Sequence, residues 1–125
     1  MSYFYKWTNI ILDTQPGPTL PAGMSRRGII LGNILLGYHE AKAGIKANPH
    51  THPNDQIAIL IKGKLLMEID GETHTMEPGE FAYIPKNIMH RVQTFDEDAI
   101  VLDIFYPIRQ DIAKRLEELG KGEKK

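Results

Sequence analysis

Residues 44–63 read GIKANPHTHPNDQIAILIKG, and the fold turns on how this stretch is read. His50 and His52 stand two apart, just ahead of an apolar run. Side chains alternate faces along an extended chain, so both imidazoles point the same way. Gln56 shares their parity, with Pro53 and Asn54 as a potential bend between. Two imidazoles on one face beside an oxygen donor are most of a divalent-metal site. A fourth donor is wanted, and His90 is the candidate. Asp55 could replace Gln56, but its parity places it on the other face.

Around that stretch the chain is that of an ordinary globular domain. It has 125 residues, 42% of them hydrophobic and 25% charged, which suits one domain with one core. A net charge of -1 argues against a nucleic-acid or anionic-membrane partner, since both need a basic patch. Without cysteine there is no disulfide, thiolate site or thiol nucleophile. No basic segment leads into an apolar one at the N-terminus, so a cytoplasmic location is expected. No apolar run reaches the length of a membrane span.

The pattern along the chain predicts an all-β domain. Residues 1–28 form a strand-and-loop arm: 3–12 is an edge strand or an arm packed on a partner, and 13–28 is a Pro- and Gly-rich loop. Residues 29–119 form the body. One strand is expected over 29–39, with Gly32 and Gly37 as bulges. Further strands are expected over 56–61, 65–69, 73–76, 81–84, 88–95 and 99–106, separated by the turn signals KGK, DG, EPGE and KN. Ile112, Leu116 and Leu119 then fall at helical spacing. Gly120 is expected to end that helix, leaving 120–125 as a solvated tail. Short strands, regular turns and one terminal helix point to a closed barrel or a double-sheet jelly roll.

The spacing Gly44-x5-His50-x-His52-x3-Gln56-x6-Gly63 resembles the first motif of the cupin family, with Gln56 where that family has glutamate. Gly79-x5-Pro85-x-Asn87-x2-His90 resembles the second. Asn87 replaces a usual glycine, and Thr94 stands where an asparagine is usual. Asparagine tolerates left-handed backbone, so Asn87 can serve. The resemblance implies a small jelly-roll barrel with one divalent metal ion (zinc, nickel, manganese or iron) held by His50, His52, Gln56 and His90. It also implies a homodimer. His39 and His74 lie outside both motifs and are read as surface or packing residues. Tyr38 and Tyr83 are candidate cavity-lining residues. Three imidazoles and a neutral amide leave a divalent ion its full charge, which favours an anionic ligand and Lewis-acid chemistry over oxygen chemistry.

A second constellation is IVLDIFY at 100–106. Asp103 interrupts an apolar strand and shares parity with Val101 and Phe105. A carboxylate buried there is costly unless it is hydrogen-bonded, metal-linked or functional, and such a group suits a general acid or base. Arg109 is either a clamp for a substrate carboxylate or half of a salt bridge at a helix start. VLDIFYPIRQD at 101–111 is similar to the last-strand pattern of KdgF-type cupins of pectin and alginate degradation, which open 4,5-unsaturated uronate rings. That resemblance implies proton transfer by Asp103, sugar packing on Phe105 and carboxylate binding by Arg109. The expected activity is therefore a metal-dependent lyase or isomerase acting on a small acidic sugar or keto acid. Two alternatives stay open: a metal-dependent dioxygenase of a small organic substrate, and a non-catalytic barrel that only holds a small ligand.

Overall fold

Gln56, Ala58 and Leu60 of one strand are buried, while Ile57 and Ile61 between and beyond them are exposed. That alternation is the period-2 signature of a strand with one face on a core. It recurs at Leu35, Gly37, His39 and Ala41, and at Ala99, Val101, Asp103 and Phe105. These three strands lie side by side in a computed structural model that describes residues 3–123.

In chain order the strands are β1 (Leu12–Asp13), β2 (Met24–Leu31), β3 (Ile34–Ala41), β4 (Asp55–Lys62), β5 (Leu65–Ile69), β6 (Glu72–Met76), β7 (Phe81–Ile84), β8 (His90–Gln93) and β9 (Ala99–Tyr106). Helix α1 (Gln110–Glu123) follows. Six strands form one sheet in the order β1-β2-β3-β9-β4-β7, and three form a second in the order β6-β5-β8. Every pairing is antiparallel. The outcome is the double-sheet jelly roll with a terminal helix, not a continuously closed barrel.

Several boundaries differ from the sequence reading. The strand expected over 29–39 is two strands, joined by the two-residue turn Gly32-Asn33 with Gly32 at φ 62°. Gly32 is thus a hairpin turn and not a bulge; Gly-Asn between apolar runs is a hairpin signal that the unbroken apolar character of 29–36 masks. Gly37 stays in register, opposite Gly28 and Asp103. β2 begins at Met24, inside the segment read as loop. Ahead of it, Trp7–Asn9 is a single 3-10 turn, and only Leu12–Asp13 joins the sheet. α1 passes through Gly120 and ends at Glu123.

Two apolar clusters fill the interior. Ala58, Leu60, Leu65, Met67, Met76, Ile84, Ala99 and Val101 close one end of the barrel. A smaller cluster of Leu35, Phe105 and Ile112 seats α1, with Leu116 packed against it. The helix comes close at Gly28, where a Cβ would stand 3.1 Å from Leu116. Each fully buried leucine contributes ~2 kcal/mol.

One polar clamp joins both ends of the chain to the barrel. Asp13 and Arg26 are fully buried, with Arg26 donating to Asp13 at 3.4 Å and to the carbonyl and hydroxyl of Thr19 at 3.2 Å. Arg115 of α1 reaches the same carboxylate with two hydrogen bonds, at 2.9 and 3.0 Å. Arg115 above all holds the Asp13 carboxyl below its usual range. The clamp fixes residues 14–22 as a strap beside the barrel mouth, with Leu20 buried beneath it.

Candidate metal centre

The backbone brings the histidines together before any side chain is considered. His50 lies in the segment after β3 and His90 opens β8; their backbones exchange hydrogen bonds of 3.0 and 3.1 Å. Asn87 donates its N–H to the His52 carbonyl at 2.8 Å, from the left-handed conformation (φ 64°) expected of it. Gly44, Gly63 and Gly79 also have positive φ, so the spaced motif residues mark the turns that frame the site. Asn54 donates to the carbonyls of Pro107 and Ile108, tying the His52 loop to the one that carries Arg109.

One nitrogen from each of His50, His52 and His90 falls within a group whose members lie no more than 4.8 Å apart. Each ring places Nδ1 against a backbone carbonyl: Asn48 at 3.3 Å, Asn54 at 3.1 Å and Ile88 at 2.9 Å. A carbonyl can only accept, so each Nδ1 carries the proton and each Nε2 presents a lone pair. His90 Nε2 is buried with no partner. Gln56 adds a fourth donor. Its Nε2 donates to Asp103 Oδ1 at 2.8 Å, which turns its Oε1 toward His52 Nε2 at 2.9 Å.

With Nδ1 protonated, that last contact sets two lone pairs face to face, and a cation between them would relieve it. Burial lowers the pKa of all three imidazoles, with the nearby Arg109 charge adding to the effect, and His90 falls to about 4. Burial thus favours neutral rings, whose lone pairs can serve a metal. Three neutral Nε2 atoms and an amide oxygen fit a divalent ion well, with backbone carbonyls as the outer partners that orient the imidazoles.

The remaining expected site residues line the same space. Asp103 and Phe105 point inward from β9, both buried. The Phe105 ring stands edge-on to His52 at 5.5 Å, and the Arg109 guanidinium lies 5.5 Å from the Phe105 centroid. Arg109 makes the helix-start salt bridge that was one of its two readings, and it also faces the space where a carboxylate clamp would act. It pairs two-pronged with Asp111 at 2.8 and 3.1 Å at the start of α1, and it lines the cavity. An inner chamber of about 90 Å3 holds His50, Gln56, His90, Asp103, Phe105 and Arg109 along its wall. It shares His50 and Arg109 with a mouth of about 720 Å3, bordered by Thr19 and Pro21 of the strap.

Other expectations are corrected. Tyr38 and Tyr83 do not line the chamber: Tyr38 packs on Trp7 at 5.3 Å, and Tyr83 is exposed with its hydroxyl 3.3 Å from Asp55. Both sit at the outward parity of their strands. Asp55 accepts from Lys86 N–H at 3.0 Å on that outer side and is no ligand. His74 is exposed as expected, beside Glu80. His39 is not a surface residue. It is buried in the chamber wall with Nδ1 3.1 Å from Asp103 Oδ2. Its inward parity with Leu35 and Ala41 was the available signal.

A fold of this topology with this histidine cluster defines a class, and sequence comparison agrees: the cupin-domain model matches residues 38–105, and the chain belongs to the cupin family. Among curated proteins, the pectin degradation protein KdgF of Dickeya dadantii (strain 3937) is 32% identical over 102 residues, covering 79% of this chain and 92% of that one. Among solved structures, KdgF from Halomonas sp. superposes with a TM-score of 0.77 at 24% identity, covering 90% of this chain and 99% of that one. The polyketide cyclase RemF from Streptomyces resistomycificus gives 0.74 at 19% identity, over 87% and 82%. At these identities the two structures speak for the fold alone. Among the described residues no helix is long and apolar enough to cross a membrane.

Proposed function

We propose that this cupin is a metal-dependent isomerase of a small acidic sugar, opening the ring of a 4,5-unsaturated uronate to the linear keto form. One observation carries the reading: Gln56 bridges the histidine cluster to a buried carboxylate, so a metal and a proton carrier would face one chamber. The similarity to a pectin degradation protein supports the substrate class. The mouth falls within the ~300–1,000 Å3 usual for small-molecule sites, whereas the inner chamber takes only one edge of such a molecule.

A divalent ion held by His50, His52, Gln56 and His90 would supply Lewis acidity toward a substrate oxygen. Asp103 then takes the proton of the hydroxyl beside the ring oxygen. The ring C–O bond breaks, leaving an aldehyde and an enolate, and the same proton passes from Asp103 to carbon to give the ketone. Nothing is gained or lost, so no further reactant is needed. Phe105 supplies an apolar face, and Arg109 offers its guanidinium to the substrate carboxylate.

The test is elemental analysis of the purified protein, followed by NMR of unsaturated uronates incubated with it. Linear keto product is the expected result. Asp103→Asn should lower turnover by ~10²–10⁴-fold with metal still bound. Oxygen consumption by the iron-loaded protein, without ring opening, would instead establish a dioxygenase.

We also propose that a second copy of the chain covers the outer face of the large sheet. Ile57 there stands directly opposite Tyr83 and Ile104, with Ile61, Phe81 and Tyr106 also exposed, and β7 is an edge strand. Light scattering should give a dimer mass, and Ile57→Lys should give a folded monomer.

A further inference from the structure

Asp103 occupies a slot cut for it by its neighbours. Directly opposite it stand Gly37 on β3 and Ala58 on β4, two of the smallest side chains available. With those positions empty, the residues diagonal to Asp103 can reach in, as long side chains do across a sheet. Gln56 comes from β4 and donates to Oδ1. His39 comes from β3, from the opposite diagonal, and brings Nδ1 to 3.1 Å from Oδ2. The His39 ring lies over Gly37, where a Cβ would meet its Cε1 at 2.7 Å, so glycine at 37 makes the room for the imidazole. His39 Nδ1 is buried, and its angle to Oδ2 falls short of a hydrogen bond.

We propose that His39 is a positioning residue: with its Nδ1–H aimed at Oδ2, it clasps Asp103 against Gln56 and fixes the direction in which the carboxylate meets substrate. A carboxylate held at one oxygen swings about that contact; held at both, from opposite diagonals, it keeps one orientation. The kinetic consequence rests on Asp103 being the proton carrier of the proposed reaction. The geometric one does not.

The experiment therefore has two arms. In proton NMR of the full-length protein, a slowly exchanging Nδ1–H signal assigned to His39 should be present, and should vanish or move strongly upfield in Asp103→Ala. A His39 resonance indifferent to Asp103→Ala overturns the inference whatever the reaction is. In the second arm, His39→Leu, His39→Asn and Gly37→Ala are compared on an unsaturated uronate. His39→Leu should lower kcat by roughly 10- to 100-fold with KM within about twofold and metal content unchanged, and His39→Asn, which restores a donor, should recover most of the loss. Gly37→Ala should resemble His39→Leu. Equal kcat for the Leu and Asn variants, or a loss that merely follows melting temperature, would show a packing role. Inactive wild-type protein with the NMR link intact would count against the uronate reading and leave the His39–Asp103 clasp standing.

Discussion

The two ends of the barrel interior are built from the same strands and are opposites in kind. On β4, Gln56 belongs to the polar end while Ala58 and Leu60 belong to the apolar one. On β9, Ala99 and Val101 are apolar and Asp103 is not. Alternation along a strand decides which side chains face inward. Distance along it decides whether they meet hydrocarbon or one another. The apolar end satisfies itself by packing. The polar end, with His90 Nε2 unpartnered and two lone pairs opposed at Gln56 and His52, asks for a cation that the chain does not supply.

The sharpest break in that contrast is His90→Ala. Losing an outer partner of a ligand costs ~10–100-fold in metal affinity, so losing the ligand itself should cost more than ~100-fold. Competition against a coloured chelator would measure it, and retention of wild-type affinity would remove His90 from the site. Leu60→Ala, at the other end, should cost about 3 kcal/mol of stability while metal affinity holds. Urea unfolding in chelator separates the two; a matching loss of metal binding would mean the ends are not independent.

Acid should act first on the polar end. The His90 pKa is about 4 in the folded chain against an ordinary 6.5. Below 6.5 the unfolded chain binds the proton and the folded chain does not. The metal-free protein should thus lose stability as pH falls from ~6.5 toward 4, by up to ~3 kcal/mol from this group. Urea midpoints at pH 7.5 and 5 would test this, and His90→Ala should reduce the dependence to what His50 and His52 contribute.

The smallest expected effect is the most instructive. Gln56→Glu would set two carboxylates 2.8 Å apart at Asp103, in place of an amide that donates on one side and accepts on the other. Metal affinity should hold or rise and turnover should fall about tenfold, as a shared proton takes the place of the donated hydrogen bond. Equal turnover would mean that neither the ion's charge nor that hydrogen bond matters.

These expectations show how far the residues themselves carried. The histidine spacing, the left-handed Asn87 and the inward Asp103 were all legible, because each is a local matter of period or backbone preference. His39 was not. Its reach depends on a two-residue offset between β3 and β9 and on Gly37 and Ala58 being small, facts of register that no single segment holds. The Gly32-Asn33 turn was hidden by apolar residues on both sides. Gly120 looked like a helix terminus, yet glycine is only a weak breaker, and the turns before it are anchored by Ile112 and Leu116.

The clamp of Asp13, Arg26 and Arg115 has its own consequence. It fastens the strap and the terminal helix, both outside the stretch shared with the cupin-domain model, into a single lip around the opening. Ile112 of that helix packs on Phe105, and Thr19 and Pro21 of the strap reach the chamber wall. Rewriting residues 14–22 should therefore reshape the opening through which any small molecule would reach the histidine cluster.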